Sequence, residues 1–247
     1  SHLPADESVS AEDVTERYAC IGLWGPRARE ILRRATADDV SNERFPYLTA
    51  RTITVGGIVV RALRVTYVGE LGWELYGPMA DGLALWDRLW EAGQGQGLMA
   101  AGYRAIDSLR LEKGYRYWSA ELTPEYTPDE AGLGFCVKLD KGDFIGREAL
   151  IAQRERGRER RLACLTLDDP FAVAPGGEPI LHEGKTVGRV TSGGYGYTVG
   201  ASIAYGYVPA AHAAAGTPLA VEVFGEVIAA RVARDPRYDP KGEKIRA

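Results

Sequence analysis

Apolar residues fall in short runs along this chain, punctuated by glycine and proline, and their spacing predicts the elements one after another. Residues 18–23 (YACIGL) predict a strand that runs into Gly25-Pro26. Proline at a first helical position favours a helix start, so 26–37 predicts a short amphipathic helix. The β-branched stretch 51–67 carries Gly56-Gly57 at its centre and predicts a hairpin, with 72–77 (GWELYG) as a third strand. Over 80–95, Leu83, Trp86, Leu89 and Trp90 share one helical face, and Gly93, Gly95 and Gly97 end the helix. A further helix spans 103–113 and stops at Gly114. The order strand, helix, hairpin, strand, helix, with mostly antiparallel strands, is α+β rather than doubly wound.

The texture changes in the second half. Residues 115–146 are irregular and rich in proline, glycine and aromatics, and 147–156 is a helix dense in arginine and glutamate. From residue 161, strand-like runs alternate with glycine-containing turns every eight to twelve residues, which predicts a small all-β barrel or sandwich. A boundary is expected near 157, in the charged RERGRER stretch. The expected organisation is a flexible lead-in over 1–15, an α+β domain over 16–156 and a β-barrel over 157–247.

Composition narrows the function classes. With 45% hydrophobic and 26% charged residues the chain can bury a real core, and a net charge of -4 with interspersed signs argues against a nucleic-acid surface. Apolar stretches are broken within about ten residues, too short to cross a bilayer, and no membrane partner is expected. The polar, acidic start lacks the pattern of a signal peptide, so a cytoplasmic protein is expected. Cys20, Cys136 and Cys164 lie far apart in apolar runs, and His2, His182 and His212 are scattered. Buried reduced thiols are expected, with no metal site and no disulfide framework.

No GxSxG, phosphate-cradling loop, HExxH or GxGxxG is present. Four segments carry the remaining chemistry. In RVTYVGELGWELYGP (64–78), read as strand, glycine-rich turn and strand, alternation puts Glu74 and Tyr76 on one strand face. A buried Glu74 needs a donor, because desolvating a lone carboxylate is costly. The edge of a pterin ring offers a donor pair, while solvent or an arginine such as Arg64 is the blander partner and the one spacing alone prefers. The 103–113 helix carries Arg104, Asp107, Arg110 and Glu112, either as a salt-bridged face or with one arginine meeting an anionic ligand. Ser192–Tyr197 reads as a sharply bent, exposed loop, packed between domains by default. In RDPRYDPKGEKIR (234–246), Tyr238 either caps the barrel or reaches back toward a ligand.

Taken together and in order, YACIGLWGPRAREIL, RVTYVGELGWELYGP, DSLRLEKGYRYW, KLDKGDFIGREAL, VTSGGYGYTVG with IAYGYVP, and the terminal RYDP resemble the folate-binding carboxy-terminal portion of the dimethylglycine and sarcosine dehydrogenases. They resemble the glycine-cleavage T-protein less closely. The resemblance runs over about residues 14–246. It implies a T-protein-like α+β domain followed by a small barrel, and a tetrahydrofolate-binding module that captures a one-carbon unit from an amine as 5,10-methylenetetrahydrofolate. It reverses the preference at Glu74, which matches the family glutamate that holds the pterin. Tyr67 and Tyr47 match aromatic positions lining the folate, Tyr76 lies in the same motif as Glu74, and Tyr238 matches a tail-end tyrosine. Where the T-protein motif has an arginine immediately before the helix aspartate, Ile106 stands here, and Arg104 becomes the candidate for the folate contact. The family's catalytic aspartate matches no position in this chain, so no catalytic residue is assigned. FAD is not expected to bind this chain, and a flavin dehydrogenase domain or subunit is the expected partner. A non-catalytic folate-binding scaffold and demethylation of a sulfur compound are the competing readings.

Overall fold

A computed structural model describes residues 3, 6 and 8–247. Residues 1, 2, 4, 5 and 7, and with them His2 and part of the expected lead-in, lie outside the described residues. The chain divides into two compact units. The first comprises residues 1–66, 70–100 and 242–247, and the second 67–69 and 101–241. The charged stretch at 157 lies inside the second unit, between helix and strand.

The first unit is a four-stranded antiparallel sheet in the order β1-β4-β3-β2, formed by β1 (Tyr18–Trp24), β2 (Ala50–Val55), β3 (Ile58–Leu63) and β4 (Gly72–Pro78). β2 and β3 form the expected hairpin, and Gly56 and Gly57 both take positive φ (56° and 88°). A two-residue turn of matching twist needs that conformation, which side chains with a Cβ resist. The segment 64–71 is irregular rather than a strand, so β3 stops short of Tyr67. α1 (Ala28–Ala35) begins two residues after Pro26. With α2 (Gly82–Gly93) it supplies the residues that cover one sheet face, where Leu32, Val55, Ala62, Trp73, Leu75 and Leu85 are fully buried. Each large apolar side chain so buried contributes about 1.5–3 kcal/mol.

The face of α2 differs from the one its spacing predicts. Leu85, Leu89 and Gly93 are buried, whereas Leu83 is 75% exposed and Trp86 and Trp90 stack on each other at the margin. The apolar arc of this helix is broad, so periodicity fixes its existence but not its centre. Gly93 decides the centre, since a Cβ there would lie 2.3 Å from Leu98.

The second unit holds α3 (Tyr103–Lys113), α4 (Arg147–Arg156) and a closed antiparallel barrel, β10-β5-β8-β7-β6-β9. Its strands are β5 (Arg160–Leu167), β6 (Pro179–His182), β7 (Lys185–Gly196), β8 (Ala201–Pro209), β9 (Pro218–Val223) and β10 (Glu226–Val232). The interior is filled by Leu165, Ile180, Ala204, Val221 and their neighbours. A second cluster (Leu111, Leu162, Cys164, Ile203, Tyr205, Tyr207) lies on the other side of the barrel wall, packed with α3 and Ala131. β8 is therefore buried on both faces, which is why IAYGYV shows no polar alternation.

The expected bent loop at 192–197 is largely strand. β7 runs to Gly196, and Ser192 is buried. Gly193 serves close approach, because a Cβ there would meet the Ala174 carbonyl oxygen at 2.3 Å. Of the thiols only Cys164 is buried, while Cys20 and Cys136 are exposed, contrary to expectation. His182 and His212, scattered in sequence, stack with ring centroids 4.1 Å apart. Among the described residues, no helix is long and apolar enough to cross a membrane, and no cluster of three or more His, Cys, Asp or Glu could hold a metal ion.

Candidate functional site

The side of the first-unit sheet that does not pack on α1 and α2 carries the polar chemistry. Alternation along β4 sends Trp73 and Leu75 into the core and Glu74 and Tyr76 the other way. Glu74 stands opposite Gly22 on β1 and Leu63 on β3, and Tyr76 opposite Cys20 and Arg61. Glu74 is half-buried, and the Trp24 indole fills the space over its neighbour Gly22, where a Cβ would lie 2.4 Å from the ring. Its Oε2 accepts the Tyr76 hydroxyl at 2.8 Å, and among the described residues its Oε1 has no protein donor. A cleft of about 400 Å³ lined by Tyr18, Arg61 and Tyr76 opens on the same side. Burial, then the bond to Glu74, push the Tyr76 phenol far above its ordinary pKa, so it donates at every physiological pH. Cys20, exposed overall, has its thiol raised above the ordinary range by partial burial of the sulfur.

Arg64 is not the partner of Glu74. It is 1% exposed, and it donates through Nη1 to the Phe45 carbonyl at 2.7 Å and through Nη2 to the Ala247 carbonyl at 2.8 Å. Burial and the neighbouring Arg29 lower its pKa to about 10. Tyr47, in the same unit, is half-buried and close enough to Arg64 to act on it electrostatically.

Tyr67, Arg104 and Tyr238 belong to the second unit. The Tyr67 hydroxyl donates to the Arg116 main-chain carbonyl at 3.0 Å, and its ring stacks on Tyr115 (centroids 5.9 Å apart, planes at 9°). Arg104 is exposed in the first turn of α3. Tyr238 is half-buried, and its main-chain N–H donates to the Glu112 carbonyl at 2.8 Å. Of the six candidates, Glu74 and Tyr76 form a bonded pair in the first unit, Tyr47 lies in the same unit, and Tyr67, Arg104 and Tyr238 lie in the second.

The arginine cluster of α3 resolves into a buried network. Arg110 pairs with Asp107 at 2.6 Å and with Glu121 at 3.3 Å. Glu121, fully buried, also accepts the Tyr117 N–H at 2.6 Å and the Thr191 and Ser192 hydroxyls at 2.7 and 2.6 Å. That network fastens α3 and the 117–121 turn to β7, so Arg110 anchors structure. Sequence spacing marks none of Glu121, Arg116 and Asp235 as site residues. Their partners lie up to 119 residues away, at distances no local periodicity encodes.

A half-open antiparallel sheet bearing a carboxylate–tyrosine pair, and a closed six-stranded barrel, define an α+β protein with a carboxy-terminal barrel. The chain belongs to the glycine cleavage T-protein (GCVT) family: residues 1–141 match the GCVT N-terminal domain, and 160–239 the glycine cleavage T-protein C-terminal barrel domain. It is 40% identical over 229 residues to human mitochondrial dimethylglycine dehydrogenase, covering 92% of this chain and 26% of that protein. Against mouse mitochondrial sarcosine dehydrogenase it is 41% identical over 245 residues, with 95% and 26% covered. The chain therefore spans about a quarter of those relatives. Among solved structures, the glycine cleavage system aminomethyltransferase T of Bartonella henselae superposes with a TM-score of 0.78 at 29% identity, over 89% of this chain and 59% of that one.

Proposed function

We propose that this chain is a tetrahydrofolate-binding, one-carbon-transfer module of the dimethylglycine/sarcosine dehydrogenase type. The observation that carries the reading is Glu74: a half-buried carboxylate with one oxygen held by Tyr76, which lines a cleft, and the other without a protein donor among the described residues. Such an oxygen is an unused strong acceptor, and a heterocycle edge with adjacent N–H donors satisfies it. Tyr76 fixes the carboxylate's rotamer, so little orientational freedom is lost on binding. On the family resemblance, Tyr47 in the first unit and Tyr67, Arg104 and Tyr238 in the second are each assigned as folate contacts.

Tetrahydrofolate, when bound, would supply two amine nitrogens that bridge through the iminium carbon as 5,10-methylenetetrahydrofolate, with the demethylated amine and one proton leaving. The protein's part is to orient it and keep water away, since an amine-derived iminium carbon is lost to hydrolysis in bulk solvent. The carbon comes, on this reading, from an amine oxidised by a flavin dehydrogenase portion, in keeping with the dehydrogenases this chain resembles.

Titration with folinic acid tests the reading. Glu74→Gln keeps size and an acceptor for Tyr76 but places an amide N–H₂ or a neutral oxygen before the ligand. Affinity is expected to fall about tenfold or more, the cost of replacing a charged acceptor. An unchanged affinity refutes the assignment.

A further inference from the structure

We infer that Asp235, acting through Arg116, is the positioning residue that fixes Tyr67 for its ligand; the inference rests on the folate reading of Tyr67. The Tyr67 hydroxyl has its hydrogen bond to the Arg116 carbonyl oxygen, so the ring stands where residue 116 puts it. Residue 116 is in turn immobilised by its own side chain. Its Nε donates to the Ala131 carbonyl at 3.0 Å, Nη1 to the Gly114 carbonyl, and Nη2 to Asp235 Oδ2 at 2.7 Å. Of these three acceptors only Asp235 is charged, and the pair is largely buried, with 11% and 24% side-chain exposure. The other Asp235 oxygen accepts the Tyr205 hydroxyl at 2.8 Å, which ties the aspartate to β8.

The backbone is shaped to admit this carboxylate. Gly114 ends α3 with φ 71°, and a Cβ there would sit 2.3 Å from Asp235 Oδ1. Two neighbouring contacts hold the same tail segment to α3: the Tyr238 N–H on the Glu112 carbonyl, and Lys113 Nζ on Asp239 Oδ2 at 2.8 Å. The tail of the second unit therefore serves the site through its aspartate. Arg116 is the relay, because a guanidinium can hold three acceptors at once in one plane and lysine cannot.

A double-mutant cycle on the full chain tests this. Folinic acid affinity is measured for wild type, Asp235→Asn, Tyr67→Phe and the double variant. Each single change is expected to weaken binding, Asp235→Asn by about tenfold, and the double variant to be no weaker than the worse single, as for two residues acting through one another. Arg116→Lys is expected to reproduce the Asp235→Asn loss. Losses that multiply in the double variant overturn the inference, because a general loosening of the tail acts independently of the Tyr67 hydroxyl. The same cycle read by urea unfolding needs no ligand. Non-additive midpoint shifts support the Asp235–Arg116–Tyr67 linkage, and additive shifts refute it, even if wild type fails to bind folinic acid. That failure would instead count against the folate reading.

Discussion

Glu121 is the buried ion whose removal has the most calculable result. The carboxylate is fully buried and meets Arg110, the Tyr117 N–H and the hydroxyls of Thr191 and Ser192, while Arg110 itself is 2% exposed in its side chain. Glu121→Ala removes one member of a buried pair, which costs about 3–5 kcal/mol because the remaining charge cannot rehydrate. Arg110 keeps Asp107 at 2.6 Å, and Asp107 is 43% exposed, so water and that second carboxylate offset part of the loss. The Ser192 hydroxyl and the Tyr117 N–H, left without that acceptor, add to it, while the Thr191 hydroxyl keeps the Tyr205 carbonyl at 3.1 Å. A net cost of about 3 kcal/mol is expected, a large share of the roughly 5–15 kcal/mol that holds a domain together. With a urea m-value of about 1–3 kcal/mol/M, the midpoint moves by about 1–3 M. The assay is urea unfolding followed by far-ultraviolet circular dichroism, to which the barrel contributes directly. Tryptophan emission is a poorer probe, since Trp24, Trp73, Trp86 and Trp90 lie in the first unit and Trp118, in the 117–121 turn, is already 78% exposed in the folded protein. Glu121→Gln should fall between Ala and wild type, because an amide still accepts from the hydroxyls but turns a donor toward Arg110 or the Tyr117 N–H. A cost below about 1 kcal/mol for the alanine variant would refute the view that this network fastens α3 to β7.

Two other outcomes follow from the geometry. In the folded protein an aromatic disulfide reagent should titrate two thiols, Cys20 and Cys136. Cys164 should react only after unfolding, because it is buried and burial holds its thiol up at about 12; three thiols titrated at once in the native state would contradict this. Gly193→Ala should destabilise the barrel by about 2 kcal/mol or more, since the added methyl meets backbone carbonyls of Ala174 and Ile203 that cannot step aside; thermal melting beside a Gly57→Ala control, where no atom lies within 4 Å, separates steric cost from turn strain.

What the sequence disclosed follows from the range of the forces involved. The β2–β3 hairpin was legible because Gly56-Gly57 states its own turn, and Glu74 and Tyr76 share a face because strand periodicity is strict. The α+β class and the barrel follow from similarly local spacing. The buried face of α2 was misplaced because Leu98, outside the helix, selects it through Gly93. The 192–196 segment looked like a loop because its glycines are there for packing, and only the barrel's closure reveals against what. The polar anchors were hidden for the same reason. Glu121 meets Ser192 across 71 residues and Arg116 meets Asp235 across 119, so neither pairing leaves a trace in local pattern. Arg64, the partner first weighed for Glu74, turns inward to carbonyls of residues 45 and 247, a choice that alternation cannot show.

Residues 242–247 complete the first unit, although every strand of the barrel precedes them in the chain. The sheet bearing Glu74 thus depends on a helix, Glu243–Arg246, that follows the whole barrel in the chain; its Ile245 is buried, and after it the Ala247 carbonyl accepts from Arg29 and Arg64. Removing residues 242–247 would therefore injure the sheet that precedes the barrel in the chain while leaving every barrel strand in place.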